Sequence, residues 1–333
     1  MRAALPTVGH VVHVPHGSAE LPDALDWRGL LAEPEPLEFE PVAFAHPLCV
    51  LFSSGTTGKP KAIVHGHGGV LVEHLKNHAL SWDLRPGDRM LWFTTNAWMM
   101  WNALVSALLV RASIVMIDGN PLHPDLTYQW RLAEQTGATL MGASPGYLMA
   151  CRKAGVAPAR QFDLRTRQIC VAGSPRPIEG YAWIHDQFGA DVLLNVGSGG
   201  TDVCSGLVQG SPLQPVWAGE IAGRCLGVDA HAYDERGRPL IGELVITKPM
   251  PSMPGRILAR PGRPALPGDV LRGLPRHPPW HADRRPVATG PQPSLLPYPP
   301  CIRYTPKNRS ACWPPPSGSM TVPTSSAQGT MTG

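Results

Sequence analysis

The stretch RMLWFTTNAWMMWNALVSALLVRASIVMIDG, Arg89–Gly119, decides the fold. Arg89–Thr95 is a short, largely apolar run and reads as a strand. Trp98–Val110 is apolar over enough residues for a buried helix, and Ala112–Ile117 returns to β-branched and apolar residues, a second strand. The same rhythm extends outward from Pro47 to about Gly197. Leu48–Phe52 reads as a strand ending in a Gly/Thr-rich turn, and Gly69–Leu80 as a helix. Further on, Thr139–Ala143, Gln168–Ala172 and Asp191–Val196 are strands, with helices over Asp125–Gly137, Pro145–Lys153 and Pro177–Phe188. Gly137 stands where a glycine closes a helix in left-handed backbone. Strand and helix alternating in this way predict an α/β fold: a mostly parallel sheet with helices on both faces.

After Ser211 the rhythm changes. Pro212, Pro215 and several glycines punctuate short runs, Asp229–Tyr233 and Glu243–Thr247, with a turn expected at Asp234–Gly237. Short strands between turns predict a small antiparallel unit, cut off at Pro254. Proline makes up 38 of 333 residues, about twice ordinary usage. From Gly255 onward there are 17 prolines, ten Lys/Arg, two Asp and no Glu, which predicts an irregular, disordered tail rather than a packed domain. The tail carries +8 of a net +4, so the first 254 residues are at −4. The basic pI therefore reports the tail, and nucleic acid is set aside as a partner.

The seven cysteines form no CxxC pair and no zinc spacing, and read as reduced thiols. The N-terminus lacks a signal-peptide core. The most apolar run, Trp98–Val110, is too short to span a bilayer. The expected setting is cytoplasmic, with no membrane and no protein partner deducible.

The chemistry concentrates in SSGTTGKPK, Ser53–Lys61, directly after a strand. Ser53, Ser54, Gly55, Thr56, Thr57 and Gly58 supply hydroxyls and free backbone N–H groups that can wrap phosphate oxygens, and Lys61 adds a point charge. The spacing is not that of a Walker A loop. A generic loop of this composition is more often a plain surface turn. The nine-residue string is more specific, and it resembles the phosphate loop of the acyl-adenylate-forming superfamily.

The resemblance narrows to acetoacetyl-CoA synthetases. It runs through AIVHGHGG (Ala62–Gly69), FTTNAWMMWN (Phe93–Asn102, with Ala97 where glycine is usual), IDGNP (Ile117–Pro121) and GASPGYL (Gly142–Leu148). It continues through SGGTDVCS (Ser198–Ser205) and WAGEI (Trp217–Ile221) to GELVITKPMPSMP (Gly242–Pro254), covering about residues 45–254 in order. By this resemblance residues 1–44 are a remnant of a preceding subdomain, 45–210 an ATP-binding α/β subdomain of AMP-dependent synthetase type, and 211–254 a truncated β subdomain. Residues 255–333 are the Pro/Arg-rich tail.

The resemblance also implies roles. Gly173, Ser174 and Pro175 would form a turn against adenine; read alone, they are equally an ordinary strand-to-helix turn. Thr201 would meet the α-phosphate, Gly200 would belong to the ATP-binding set, and Asp202 would hold Mg²⁺, where the family often has Glu. Read alone, Thr201-Asp202 is more often a cap or turn pair. Trp98 would line and shorten the acyl pocket, although at least two of Trp98, Met99, Met100 and Trp101 are expected to be core. His65 and His67 read as polar loop residues rather than catalytic ones. The catalytic set would be Lys61, Thr201 and Asp202.

The implied function is acetoacetate–CoA ligase activity: ATP activates acetoacetate as an acyl-adenylate, and CoA then displaces AMP. Small molecules (acetoacetate, ATP, CoA) are the expected partners. Other short-chain acids, acetate or propionate, are the neighbouring alternative; an ATP-binding or non-functional fragment is another. The family's ribose-binding Asp, a nearby Arg and the lysine of its C-terminal lid have no counterpart in context, and Gly268-Asp269 lies in Pro/Arg-rich sequence. The chain is therefore expected to be incomplete, with weak or no activity. As a hypothesis, the abrupt change at Gly255 marks an out-of-frame reading; resequencing across the Pro254 codon tests it, and an absence of family-like sequence in every alternative frame sinks it.

Overall fold

The structure is a computed structural model, and it describes residues 5–15, 18, 21–32, 35–53, 60–174, 177–233 and 243–258. The chain divides into two units, Met1–Ala43 and Phe44–Gly333. In the first, Val12–His13 (β1) pairs in parallel with Leu25–Asp26 (β2), and a six-residue helix, Trp27–Ala32 (α1), follows. The Asp26 carboxylate accepts from the Gly29 amide at 2.8 Å, satisfying one orphan N–H of that helix.

The second unit opens with a hairpin, Pro47–Ser53 (β3) and Lys61–Gly66 (β4), and then His67–Lys76 (α2), which widens into a π-helical turn over Asn77–Ser81. Arg89–Trp92 (β5) follows, then Met100–Val105 (α3), a 3₁₀ turn over Ser106–Val110, and Ser113–Val115 (β6). Tyr128–Thr136 (α4), Leu140–Ala143 (β7), Pro145–Lys153 (α5) and Pro158–Gln161 (α6) come next. Gln168–Val171 (β8), Ile178–Phe188 (α7), Leu193–Gly200 (β9) and Ser205–Gln209 (β10) complete the main sheet.

That sheet has the order β10-β9-β8-β7-β5-β6, all parallel except β10, which returns antiparallel to β9. Its two faces are covered by different helices, as the alternation along each strand requires. Leu91, Met141, Ile169 and Val171 pack with Trp130 of α4, Leu148 of α5 and Ile184 of α7. Met90, Trp92, Leu140 and Cys170 pack on the opposite face with Met100, Ala103 and Leu104 of α3. Truncating a fully buried residue such as Leu148 or Ile184 to Ala costs about 2–5 kcal/mol at sites of this kind.

Local chemistry sets the helix ends. Pro145 opens α5 behind Ser144, whose hydroxyl accepts from the Tyr147 amide at 3.2 Å. Gly137, at φ 61°, closes α4.

Ala230–Tyr233 (β11) and Glu243–Ile246 (β12) form the small antiparallel pair expected after Ser211; the turn expected at Asp234–Gly237 lies outside the described residues. Arg256–Leu258 (β13), composition-wise part of the tail, pairs antiparallel with β4, giving a three-stranded sheet β13-β4-β3. The sheet thus runs four residues beyond Pro254. The rest of the tail, including Gly268-Asp269, lies outside the described residues.

Three expectations change. The helix expected over Trp98–Val110 starts at Met100 and narrows to 3₁₀ at Ser106. It is not buried all round, since Leu108 and Leu109 are exposed; an apolar run does not by itself say how many of its faces find partners. The helix expected at Gly69–Leu80 starts two residues earlier and ends in the π turn. Ala62–Gly66 is a strand and not a loop, so His65 is no polar loop residue. It is fully buried, because β4 is the central strand of its sheet. Among the described residues, no helix is long and apolar enough to cross a membrane.

Candidate nucleotide site

Parallel strands present ligand sites at their carboxyl ends, beside the point where the strand order reverses. Here the chain moves from β5 outward to β6 and then back across β5 to β7, so the reversal lies between β5 and β7. The loops leaving β5, β8 and β9 carry Trp98, Gly173-Ser174 and Thr201-Asp202, respectively. The sheet therefore collects at the carboxyl ends of its strands residues that are 27 to 104 positions apart in sequence.

Gly173 has φ +106°, a conformation in which a side chain is strained. A Cβ placed on it would stand 3.6 Å from Cζ2 of Trp98, so the indole lies against this turn. Gly173 and Ser174 are exposed and Trp98 is half-buried. Pro175 lies outside the described residues, as do Ser54, Gly55, Thr56, Thr57 and Gly58. The two ends of that loop are fixed: Ser53 and Lys61 are register partners at the end of the β3–β4 hairpin.

The hairpin is tied to the turn after β9. Leu51 of β3 and Val70 of α2 form a small buried cluster with Cys204, and Met99, next to Trp98, packs against it. His65 of β4 donates from Nε2 to the Thr201 carbonyl at 2.9 Å. Burial holds the His65 imidazole below its ordinary titration range, against the pull of the Thr201 and Ser252 carbonyls and the Asp202 charge. Gly199, in the last rungs of β9, allows the return strand to approach: a Cβ there would stand 2.2 Å from the Ser205 carbonyl oxygen. Thr201 and Asp202 are half-exposed, and among the described residues neither side chain has a hydrogen-bond partner. They are polar groups held in place and left available.

A buried polar ladder along α2 and the turn after it anchors β9 and β10 from behind. Glu73, 1% exposed, pairs with Lys76 at 2.6 Å and accepts from Ser205 Oγ at 2.8 Å. Asn77 donates to Ser205 Oγ and accepts from Gln209 Nε2, each at 3.0 Å. Asn195 accepts from the Gly210 amide and donates to the Ser81 carbonyl, both at 2.9 Å. Each group that burial strips of water finds a partner here.

The sequence profile of the AMP-binding enzymes matches residues 2–255. The chain belongs to the AMP-binding enzyme family. Among AMP-binding enzymes it is 45% identical over 223 residues to an acetoacetyl-coenzyme A synthetase of Rhizobium meliloti, covering 66% of this chain and 34% of that protein. The mouse acetoacetyl-CoA synthetase is 41% identical over 230 residues, 68% of this chain and 34% of that one. The solved acetoacetyl-CoA synthetase from Streptomyces lividans superposes with a TM-score of 0.74 at 50% identity, over 78% of this chain and 42% of that chain. An anthranilate CoA ligase solved with anthranoyl-AMP, 19% identical with a TM-score of 0.66, shares the fold. The chain spans about a third of the length of the curated relatives it matches.

The residues that sequence reasoning missed are His65, His74 and Ser252, whose hydrogen bonds hold the Thr201–Cys204 turn. A signal was present for the first: Ala-Ile-Val after Lys61 is a β-branched run, which places His65 on a strand.

Proposed function

We propose that this chain binds MgATP and activates acetoacetate as an acyl-adenylate, with CoA as the acceptor of the second half-reaction. One observation carries the reading. The strand leaving the Ser53–Lys61 loop and the Thr201–Asp202 turn, remote in sequence, are joined directly by the His65–Thr201 hydrogen bond. Similarity to acetoacetyl-CoA synthetases over the same segment supports it.

In this reading the loop amides and hydroxyls from Ser53 to Gly58, with Lys61, hold the β- and γ-phosphates. Gly173, Ser174 and Pro175 lie along the adenine, where the missing Cβ of Gly173 lets a flat base approach the backbone. Gly200 and the Thr201 hydroxyl address the α-phosphate, the atom that the substrate carboxylate attacks. Trp98 closes the acyl pocket and favours a short keto acid. The protein's task is positioning and charge stabilisation, since pyrophosphate leaves as the carboxylate attacks in line.

Asp202 fits Mg²⁺ as a single hard oxygen ligand. Its carboxylate is half-exposed and unpaired among the described residues, and no group of three or more His, Cys, Asp or Glu among them forms a metal cage. Magnesium held by one or two carboxylates plus substrate phosphates and water matches that arrangement. Bound there, it would neutralise charge on the phosphate oxygens.

A second reading is nucleotide binding without turnover, which needs only the Ser53–Lys61 hairpin end and the Thr201–Asp202 turn that the His65–Thr201 bond joins. Two measurements on the full chain separate the readings. MgATP at 100 times its Kd should stabilise the fold by about 2.7 kcal/mol, and pyrophosphate release should require acetoacetate and not acetate. Stabilisation without release leaves the second reading; no stabilisation overturns both.

A further inference from the structure

The turn between β9 and β10 is held by its carbonyls, from three directions. His65 of β4 donates from Nε2 to the Thr201 carbonyl at 2.9 Å. Ser252, from the segment before β13, donates to the Val203 carbonyl at 2.5 Å. His74 of α2 donates from Nε2 to the Cys204 carbonyl at 2.7 Å. The three donors are 0%, 2% and 2% exposed.

The turn does not hold itself well. Cys204 sits at φ +47°, in the left-handed region that non-glycine residues rarely enter. Its own main-chain bonds, Val203 N–H to Gly200 and Cys204 N–H to Thr201, are long at 3.3 Å. A strained conformation persists only where its surroundings over-determine it. Here three side chains occupy the carbonyls, while the Thr201 hydroxyl and the Asp202 carboxylate stay without partners among the described residues.

His65 differs from the other two donors in where it stands. It is four residues after Lys61 on one continuous strand, about 13 Å at the usual rise. Its register partner is Cys49, and Ser53 is the partner of Lys61 at the other end. One strand therefore carries the exit of the phosphate loop and the anchor of the opposing turn. A neutral imidazole has a single N–H, and a carbonyl acceptor requires it on Nε2.

We infer that His65 is a positioning residue for the nucleotide: by holding the Thr201 carbonyl from the strand that begins at Lys61, it fixes the Ser53–Lys61 end of the hairpin relative to the Thr201–Asp202 pair. This rests on the nucleotide reading above. It gives a buried side chain that never touches the substrate control over phosphate affinity alone.

The test compares adenosine and MgATP binding by calorimetry in the full chain and in His65→Gln and His65→Leu. A glutamine amide can reproduce the Nε2–H donor; leucine keeps bulk and removes it. We expect His65→Leu to weaken MgATP roughly tenfold, the scale of one lost hydrogen bond, with adenosine unchanged. His65→Gln should stay within about threefold of the parent, since it restores that bond. Equal loss for both ligands would mean a merely structural role. An unaltered MgATP affinity in His65→Leu, or a His65→Gln as impaired as His65→Leu, would also overturn the inference. If the parent chain binds adenosine but not MgATP, the phosphate reading falls, and this inference with it. Imidazole ¹⁵N shifts of His65 provide a check independent of any ligand: a neutral ring protonated on Nε2 is expected, and a proton on Nδ1 alone contradicts the bond.

Discussion

The indole of Trp98 lies against Gly173, so that a Cβ on the glycine would be 3.6 Å from Cζ2 of the tryptophan. These residues leave β5 and β8, which are separated in the sheet by β7, or about 10 Å at the usual strand spacing. A large flat side chain bridges that gap and limits the space above β7. Replacing it, Trp98→Ala, should open room for longer acids. The ratio of pyrophosphate release with a six-carbon keto acid to that with acetoacetate should rise by at least about tenfold, the value of one to two methylenes in an apolar pocket. An unchanged ratio would remove Trp98 from the acyl pocket.

Gly173 is constrained by its backbone more than by space, since its φ is +106° and the nearest neighbours of a Cβ are at ordinary contact distance. Gly173→Ala should therefore cost about 1–3 kcal/mol of stability and weaken adenosine binding by moving the turn. Urea denaturation and adenosine titration measure the two effects. A stable variant with normal adenosine affinity would remove the turn from the adenine site.

Glu73 is the buried charge of the α2 ladder, held by Lys76 and Ser205. Glu73→Ala leaves the largely buried Lys76 ammonium without its partner and should destabilise the chain by about 3–5 kcal/mol. Glu73→Gln, which keeps an acceptor for Ser205, should cost less. Chemical denaturation of the two variants checks the order. A reversed order would mean that an acceptor for Ser205 is not what the ladder needs.

Acid should unfold the chain through its buried histidines. Burial, reinforced by neighbouring His74, holds His78 down to about 4, although both its ring nitrogens face carbonyls, those of His74 and Ala103. His65 and His74 are lowered too, chiefly by burial. In the unfolded chain these rings titrate near 6.5. Between the two values the unfolded state binds more protons, so stability is complete above about pH 6.5 and falls as the pH drops toward 4. His78 alone would contribute about 3 kcal/mol over that window. Urea midpoints at pH 7.5, 6 and 5 should decline in that order, and His78→Phe should flatten the decline; midpoints that hold steady or rise toward pH 5 would contradict it.

Much of the fold was legible because periodicity and turn chemistry agree. Leu140–Ala143 and the Ile169–Val171 part of Gln168–Val171 are continuous apolar runs of the kind that parallel strands buried on both faces require. Pro145 and Gly137 mark helix ends by their own backbone preferences. Legibility ended where the deciding partner is remote. His65 reads as polar, yet the carbonyl that makes its burial tolerable is 136 residues away. Ser205–Gln209 carries no alternation, and only pairing with β9 makes it a strand. Cys204 adopts a positive φ without the glycine that would have announced it. At the candidate site, motif residues could be named from sequence, while the side chains that hold the Thr201–Cys204 turn could not.

Hydrogen exchange of the full chain with and without MgATP, resolved by peptide, tests most directly whether three remote segments form one triphosphate cleft. Protection should rise together, at one nucleotide concentration, in peptides covering residues 53–61, 172–176 and 197–205. Protection confined to one of these segments, or absent from all three at saturating nucleotide, would contradict it.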